Sequence, residues 1–154
     1  TPEPPPGLRA YTLFPLSLVA VGSPRIADRL DEVGPAIFTE VPLIVQRARP
    51  ESWRDWAESA GFRVPEPKHV IELDSMFAVA RAAERGVGIA LVPLGLLDAW
   101  LEDGDLIRIS PAILDTADTY RLVCRPGDQD RPEVKALVQW ALREFRREER
   151  SSSD

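Results

Sequence analysis

A chain of 154 residues with 44% hydrophobic residues suits one compact domain with a filled core, and its composition is neither collagenous nor that of a disordered chain. Lys and Arg number 19 against 25 Asp and Glu, a formal net charge of −6 with no basic stripe outside the last helix, so this chain alone is a poor partner for nucleic acid. A single cysteine, Cys124, excludes an intramolecular disulfide, and a single histidine, His69, leaves no Cys/His metal cluster; no apolar run approaches the roughly 20 residues that cross a bilayer.

The opening TPEPPPG, residues 1–7, carries four prolines and reads as an extended connector. Leu8 to Phe14 and Leu16 to Val21 then read as two strands broken by Pro15, the second apolar enough for a buried sheet. After Gly22, Ser23 and Pro24 suit the cap and first position of a short helix with Ile26, Ala27 and Leu30 on its inner face. Ile37-Phe38 and Leu43 to Val45 read as short strands. From Pro50 the period changes: Trp53, Trp56, Ala57 and Ala60 recur at helical spacing until Gly61. Residues 63–68 carry two prolines and form a loop.

The stretch Val70 to Pro93 is the best punctuated. Val70, Ile71 and Leu73 give a strand, Asp74-Ser75 a helix cap, and Met76, Phe77, Val79, Ala80 and Ala83 a helix. Gly86 sits where a left-handed C-terminal residue belongs, and Ile89 to Val92 form a second strand. Leu94, Leu97, Trp100 and Leu101 predict one more helix closed by Gly104, followed by a strand at Leu106, Ile107 and Ile109. Ser110 to Asp118 reads as irregular, Thr119 to Arg125 as a strand ended by Pro126-Gly127. In the last helix Asp130 and Glu133 resemble a capping box, and Val134, Leu137, Val138, Ala141, Leu142 and Phe145 form one apolar stripe. Its end, from Arg146 to Asp154, is expected to fray. Strands alternating with helices imply an α/β fold with a largely parallel sheet. The first strands follow one another with no helical crossover, as though the chain began partway through a fold.

No catalytic constellation is visible. His69 lies in a Pro-rich approach to a strand, no serine stands in a Gly-x-Ser-x-Gly elbow, and Gly86-Val87-Gly88 suits a C-cap better than a phosphate loop. No catalytic residue, metal ligand or cofactor is therefore expected. Trp53 and Trp56 read as core, with an aromatic ligand wall as the alternative. Cys124 reads as a small buried hydrophobe. Asp74 and Ser75 either cap their helix or offer a hydroxyl and free backbone N–H groups to a ligand carboxylate.

The stretches WRDWAESAG, ELDSMFAVARAAERGVGIALVP, LEDGDLIRI and TYRLVCRPGDQDRPEVKALVQWALREF, in that order and spacing, resemble the C-terminal effector-binding domain of LysR-type transcriptional regulators. The branch they resemble is that of the glycine-cleavage activator and the β-lactamase activator, and the resemblance covers residues 8–147. It implies a periplasmic-binding-protein-like (type 2) fold of two α/β subdomains, with the effector in the cleft between them. Leu16 to Val21 would be one crossing strand and Thr119 to Cys124 the return. Residues 22–118 would be a complete second subdomain, 8–21 and 119–147 the crossings and part of the first, and 148–154 a disordered tail. The family's helix-turn-helix, linker helix and opening half of the first subdomain are not found in the chain.

Residue by residue, the resemblance implies effector contacts at Asp74, Ser75 and Tyr120. It further implies a cytoplasmic, non-catalytic sensor of a small polar, carboxylate-bearing metabolite, homo-oligomeric in the intact regulator and touching DNA only through the missing N-terminal domain. A solute-binding domain of a transport system, which shares the fold, is the alternative.

Overall fold

A computed structural model describes residues 6–61 and 67–151. Residues 1–5 of the expected connector and 63–66 of the expected loop lie outside them.

One five-stranded sheet runs in the order β3-β2-β4-β1-β5. Its strands are β1 (Arg9–Gly22), β2 (Leu43–Gln46), β3 (Val70–Leu73), β4 (Ile89–Pro93) and β5 (Ile107–Cys124). Among the described residues, six helices accompany it: α1 (Pro24–Val33), α2 (Ile37–Glu40), α3 (Ser52–Ser59), α4 (Met76–Glu84), α5 (Asp98–Glu102) and α6 (Pro132–Ser151). β2 is parallel to β3 and to β4, with Ile44 opposite Ile71 on one side and Ala90 on the other; β4 meets β1 antiparallel, from Leu18 opposite Pro93 to Val21 opposite Ala90. The sheet is therefore parallel across β3-β2-β4 and antiparallel where β1 joins.

Two compact units divide the chain. One comprises Thr1–Leu16 with Asp115–Asp154, the other Ser17–Leu114, so the boundaries fall within β1 and within β5. In the larger unit Val19, Val21, Ile44, Ala90 and Val92 meet Val79, Ala80 and Ala83 of α4, all fully buried. The small alanines let this helix lie close to the sheet. Gly88, between α4 and β4, is dictated by the same closeness: a Cβ there would stand 2.2 Å from the Pro42 carbonyl oxygen, which accepts the Ile89 N–H at 3.0 Å.

Several expectations need correction. The two strands separated by Pro15 are one, β1. Pro15 precedes the register with β4, so its missing N–H removes nothing from that ladder. This also removes the apparent succession of strands without a crossover. Ile37-Phe38 is helical: the 3₁₀ turn Gly34–Ala36 runs directly into α2, where the Val41 N–H bonds the Ile37 carbonyl at 3.1 Å and both apolar side chains are buried. Ser110 to Asp118 belongs to β5, which passes through Pro111 at the end of the sheet order, where a proline costs least. The helix expected from Leu94 shortens to α5, because Leu94 to Leu97 form a turn in which the Gly95 N–H donates to Asp98 Oδ1 at 3.0 Å.

At α6, Asp130 belongs to the 3₁₀ turn Asp128–Asp130 and the helix starts at Pro132, while Glu133 pairs with Arg131; the capping box does not form. Of the expected stripe, Val138 and Ala141 are buried, whereas Leu137 is half exposed. The helix runs to Ser151, and residues 152–154 of the expected tail lie outside the described residues.

Candidate functional site

The start of α4 is built by its two flanking elements. β3 brings the chain to Asp74 and Ser75 beside Arg47, whose N–H bonds the Leu73 carbonyl at 2.8 Å. Ser75 then takes the N-cap position with extended backbone, φ −111° and ψ 132°, and its carbonyl accepts the Val79 N–H at 3.0 Å as the first helical bond. The hydroxyl makes no capping bond. The expected cap is thus one of position only. Asp74 and Ser75 are both exposed, and the first-turn N–H groups have no partner within the helix. A hydroxyl, a carboxylate and a partly positive helix end therefore face outward within two residues of each other.

The far end of α4 is closed independently. Gly86 has φ +73°, its N–H bonds the Ala83 carbonyl at 2.9 Å and the Val87 N–H bonds Ala82 at 3.0 Å, the paired geometry of a Schellman motif. The Gly86-Val87-Gly88 turn is a helix stop, in line with its reading as a C-cap.

Tyr120 lies in the other compact unit, half-buried on β5. Its ring stacks on Phe14, centroids 4.7 Å apart and planes at 23°, and Phe14 in turn meets Phe145 of α6 at 4.8 Å. The preceding Thr119 has a buried hydroxyl oxygen with no hydrogen-bond partner. Asp74 and Ser75 are thus together by adjacency, and Tyr120 is anchored in an aromatic cluster of its own unit.

The two tryptophans of α3 form core and no ligand wall. Trp53 Nε1 donates to the Ile44 carbonyl at 3.0 Å, Trp56 Nε1 to the Ala112 carbonyl at 3.3 Å, and both rings pack with Phe38. Cys124 is a free thiol, partly buried. Among the described residues, no group of three or more His, Cys, Asp or Glu could hold a metal ion, and no helix is long and apolar enough to cross a membrane.

A feature that sequence reasoning missed opens beside the start of α4. Met76, Phe77, Leu96, Leu97, Ala99 and Trp100 line a cavity of about 400 Å³. The Phe77 and Trp100 rings meet at 5.6 Å and 53°, and the Arg81 guanidinium lies over both, 5.3 Å from the first centroid and 4.7 Å from the second. Phe77 fits the apolar list of α4 by type, yet it lies off the buried line Val79, Ala80, Ala83 and is 60% exposed. Its partner at i+4 is a cation, and that pairing was the available signal.

Residues 1–146 match the family described as LysR substrate binding domain. The transcriptional regulator TrpI of Pseudomonas aeruginosa is 28% identical over 142 residues, 91% of this chain and 47% of TrpI. The transcriptional activator AmpR of Citrobacter freundii is 30% identical over 121 residues, 77% of this chain and 40% of AmpR. The chain spans about half the length of the curated relatives it matches. Among solved structures, the effector domain of AmpR from Pseudomonas aeruginosa superimposes with a TM-score of 0.80 at 25% identity, covering 97% of this chain and 71% of that domain. The fold is accordingly that of the periplasmic-binding-protein-like, type 2 effector domains, and the relatives are regulators of transcription and neither enzymes nor transport components. With its family match running over nearly the whole chain, this protein belongs to the LysR substrate-binding-domain family.

Proposed function

We propose that the chain is the effector-sensing part of a bacterial, cytoplasmic, homo-oligomeric LysR-type regulator. It would bind a small polar metabolite, one that bears a carboxylate, and pass the binding signal to a helix-turn-helix outside these residues. The proposed effector contacts are Asp74 and Ser75 at the start of α4, and Tyr120 on β5. No bond of the effector is made or broken. Binding acts by favouring one of two conformations of the regulator, and the response is limited to the difference in effector affinity between them.

One observation carries this reading: the Ser75 hydroxyl occupies the N-cap position and leaves the cap unmade. Turned onto a first-turn N–H, that oxygen would cap the helix; instead it stays uncommitted at an exposed position. Left outward, it and the free N–H groups offer one donor or acceptor and several donors to a carboxylate. The neighbouring Asp74 suits a ligand that also carries an amine or hydroxyl. Curated relatives that regulate transcription support this reading over transport.

In the intact regulator, Ser75→Ala and Tyr120→Phe should each weaken the effector response of a reporter several-fold while leaving DNA affinity without effector unchanged. Equal loss of response and of effector-free DNA binding would mean a folding defect, and the assignment of these two residues would fail.

A further inference from the structure

The cavity beside α4 shares two residues with the proposed polar site. Met76 and Phe77 line it, and they are also the first two residues of the helix, directly after Ser75. The remaining wall comes from the turn after β4 and from α5: Leu96, Leu97, Ala99 and Trp100. A volume of about 400 Å³ is at the small end of ligand pockets. It has room for an aromatic ring or a branched chain.

The chemistry of the wall is one-sided. All six lining side chains are apolar, and two of them, Phe77 and Leu96, are left 60% and 40% exposed. Large apolar groups facing water favour an apolar occupant, because covering them releases ordered solvent. Phe77 and Trp100 are tilted against each other, an arrangement that a third ring can join edge to face. Arg81 supports this wall from behind. Its guanidinium lies over both rings and is ion-paired with Glu84 at 2.7 Å, which holds it against the aromatic pair.

We propose that this cavity receives the hydrocarbon part of the effector, an aromatic ring or a branched chain of similar size, while the polar part of the same molecule lies at Ser75. The inference rests on the reading of Ser75 as an effector contact. It narrows the effector class to an amphipathic carboxylate whose apolar group sits within a few bonds of its acid. Simple sugars and short dicarboxylates, which would leave the cavity unfilled, fall outside this class.

Met76 is the chain's single methionine, so methyl-¹³C methionine labelling gives one NMR signal inside the cavity. Three probes separate the two parts of the site: benzyl alcohol for the ring alone, acetate for the anion alone, and phenylacetate for both. The Met76 methyl signal should shift saturably with benzyl alcohol and phenylacetate, the latter half-saturating at several-fold lower concentration, and should stay in place with acetate. Phe77→Ser and Leu96→Gln, both at exposed positions that spare the fold, should each raise the half-saturation of both aromatic probes at least tenfold. Ser75→Ala should bring phenylacetate to the level of benzyl alcohol.

No saturable shift with either aromatic probe overturns the cavity assignment, as does a shift that survives both cavity variants. A methyl signal that follows protein concentration and ignores the probes also overturns it, in favour of a second copy of the chain on this face. If the aromatic probes bind and lose affinity in the cavity variants while Ser75→Ala leaves phenylacetate unchanged, the cavity stands and the Ser75 contact fails.

Discussion

Two aromatic pairs lie in the larger unit at nearly the same ring separation, Trp53 with Trp56 at 5.5 Å and Phe77 with Trp100 at 5.6 Å. The first is closed on every side. Phe38 of α2 packs against both indoles, each indole N–H reaches a backbone carbonyl, and Trp56 is only 1% exposed. The second has protein on one side and a cavity on the other, with Arg81 as its only charged neighbour in ring contact among the described residues. Ring type and spacing are therefore common to a pair that builds the core and a pair that lines a pocket. The difference lies in what covers the rings: a second element with backbone acceptors, or one half-exposed arginine side chain.

The sharpest way to break this comparison is to truncate the core pair. Trp56→Ala removes a fully buried indole and its hydrogen bond to Ala112, and should cost about 3 to 5 kcal/mol in denaturant unfolding. A loss below about 1 kcal/mol, the level of a surface change, would put Trp56 in the same class as Phe77. Phe77→Ala is the matching cut in the pocket pair. Most of its ring already faces water, so the cost should be about 1 kcal/mol or less, chiefly the contacts with Trp100 and Arg81. Chemical denaturation of both variants under one set of conditions checks the contrast, and equal losses would sink it.

The same contrast explains what could be read from the residues and what could not. α4 was legible nearly residue by residue, because cap position, helical period and C-terminal glycine agree locally and Gly86 takes the left-handed conformation its place demands. α3 was legible for the same reason. Pro15 misled because its effect depends on which neighbour strand pairs with that half of β1, a fact set by tertiary register. Ser110 to Asp118 misled because polar and proline residues are tolerated in a strand at the end of the sheet order. Ile37-Phe38 were too few to carry a period, and the preceding Gly34–Ala36 turn decided their conformation. At the site, Asp74 and Ser75 could be placed at the helix start from the sequence, but whether the hydroxyl caps is a rotamer choice. For the cavity the residues carried only the i, i+4 spacing of Phe77 and Arg81, since α4 and α5 meet there through the path of β4.

The smallest expected effect is the most informative about Ser75. A serine that caps a helix contributes about 1 kcal/mol, and its replacement by alanine loses that amount. Here the hydroxyl makes no capping bond, while the contacts that hold α4, through Val79, Ala80 and Ala83, do not involve it. Ser75→Ala should therefore change stability by no more than about 0.5 kcal/mol, the range of surface substitutions away from any structural feature. A measured loss near 1 kcal/mol would mean that the hydroxyl turns onto the first-turn N–H groups in solution. An incoming carboxylate would then have to displace it, and the helix start would be a closed end like that of an ordinary capped helix. A loss within the smaller range, combined with a weakened effector response, separates binding from stability at one atom. That separation is what distinguishes a serine kept for a ligand from one kept for its helix.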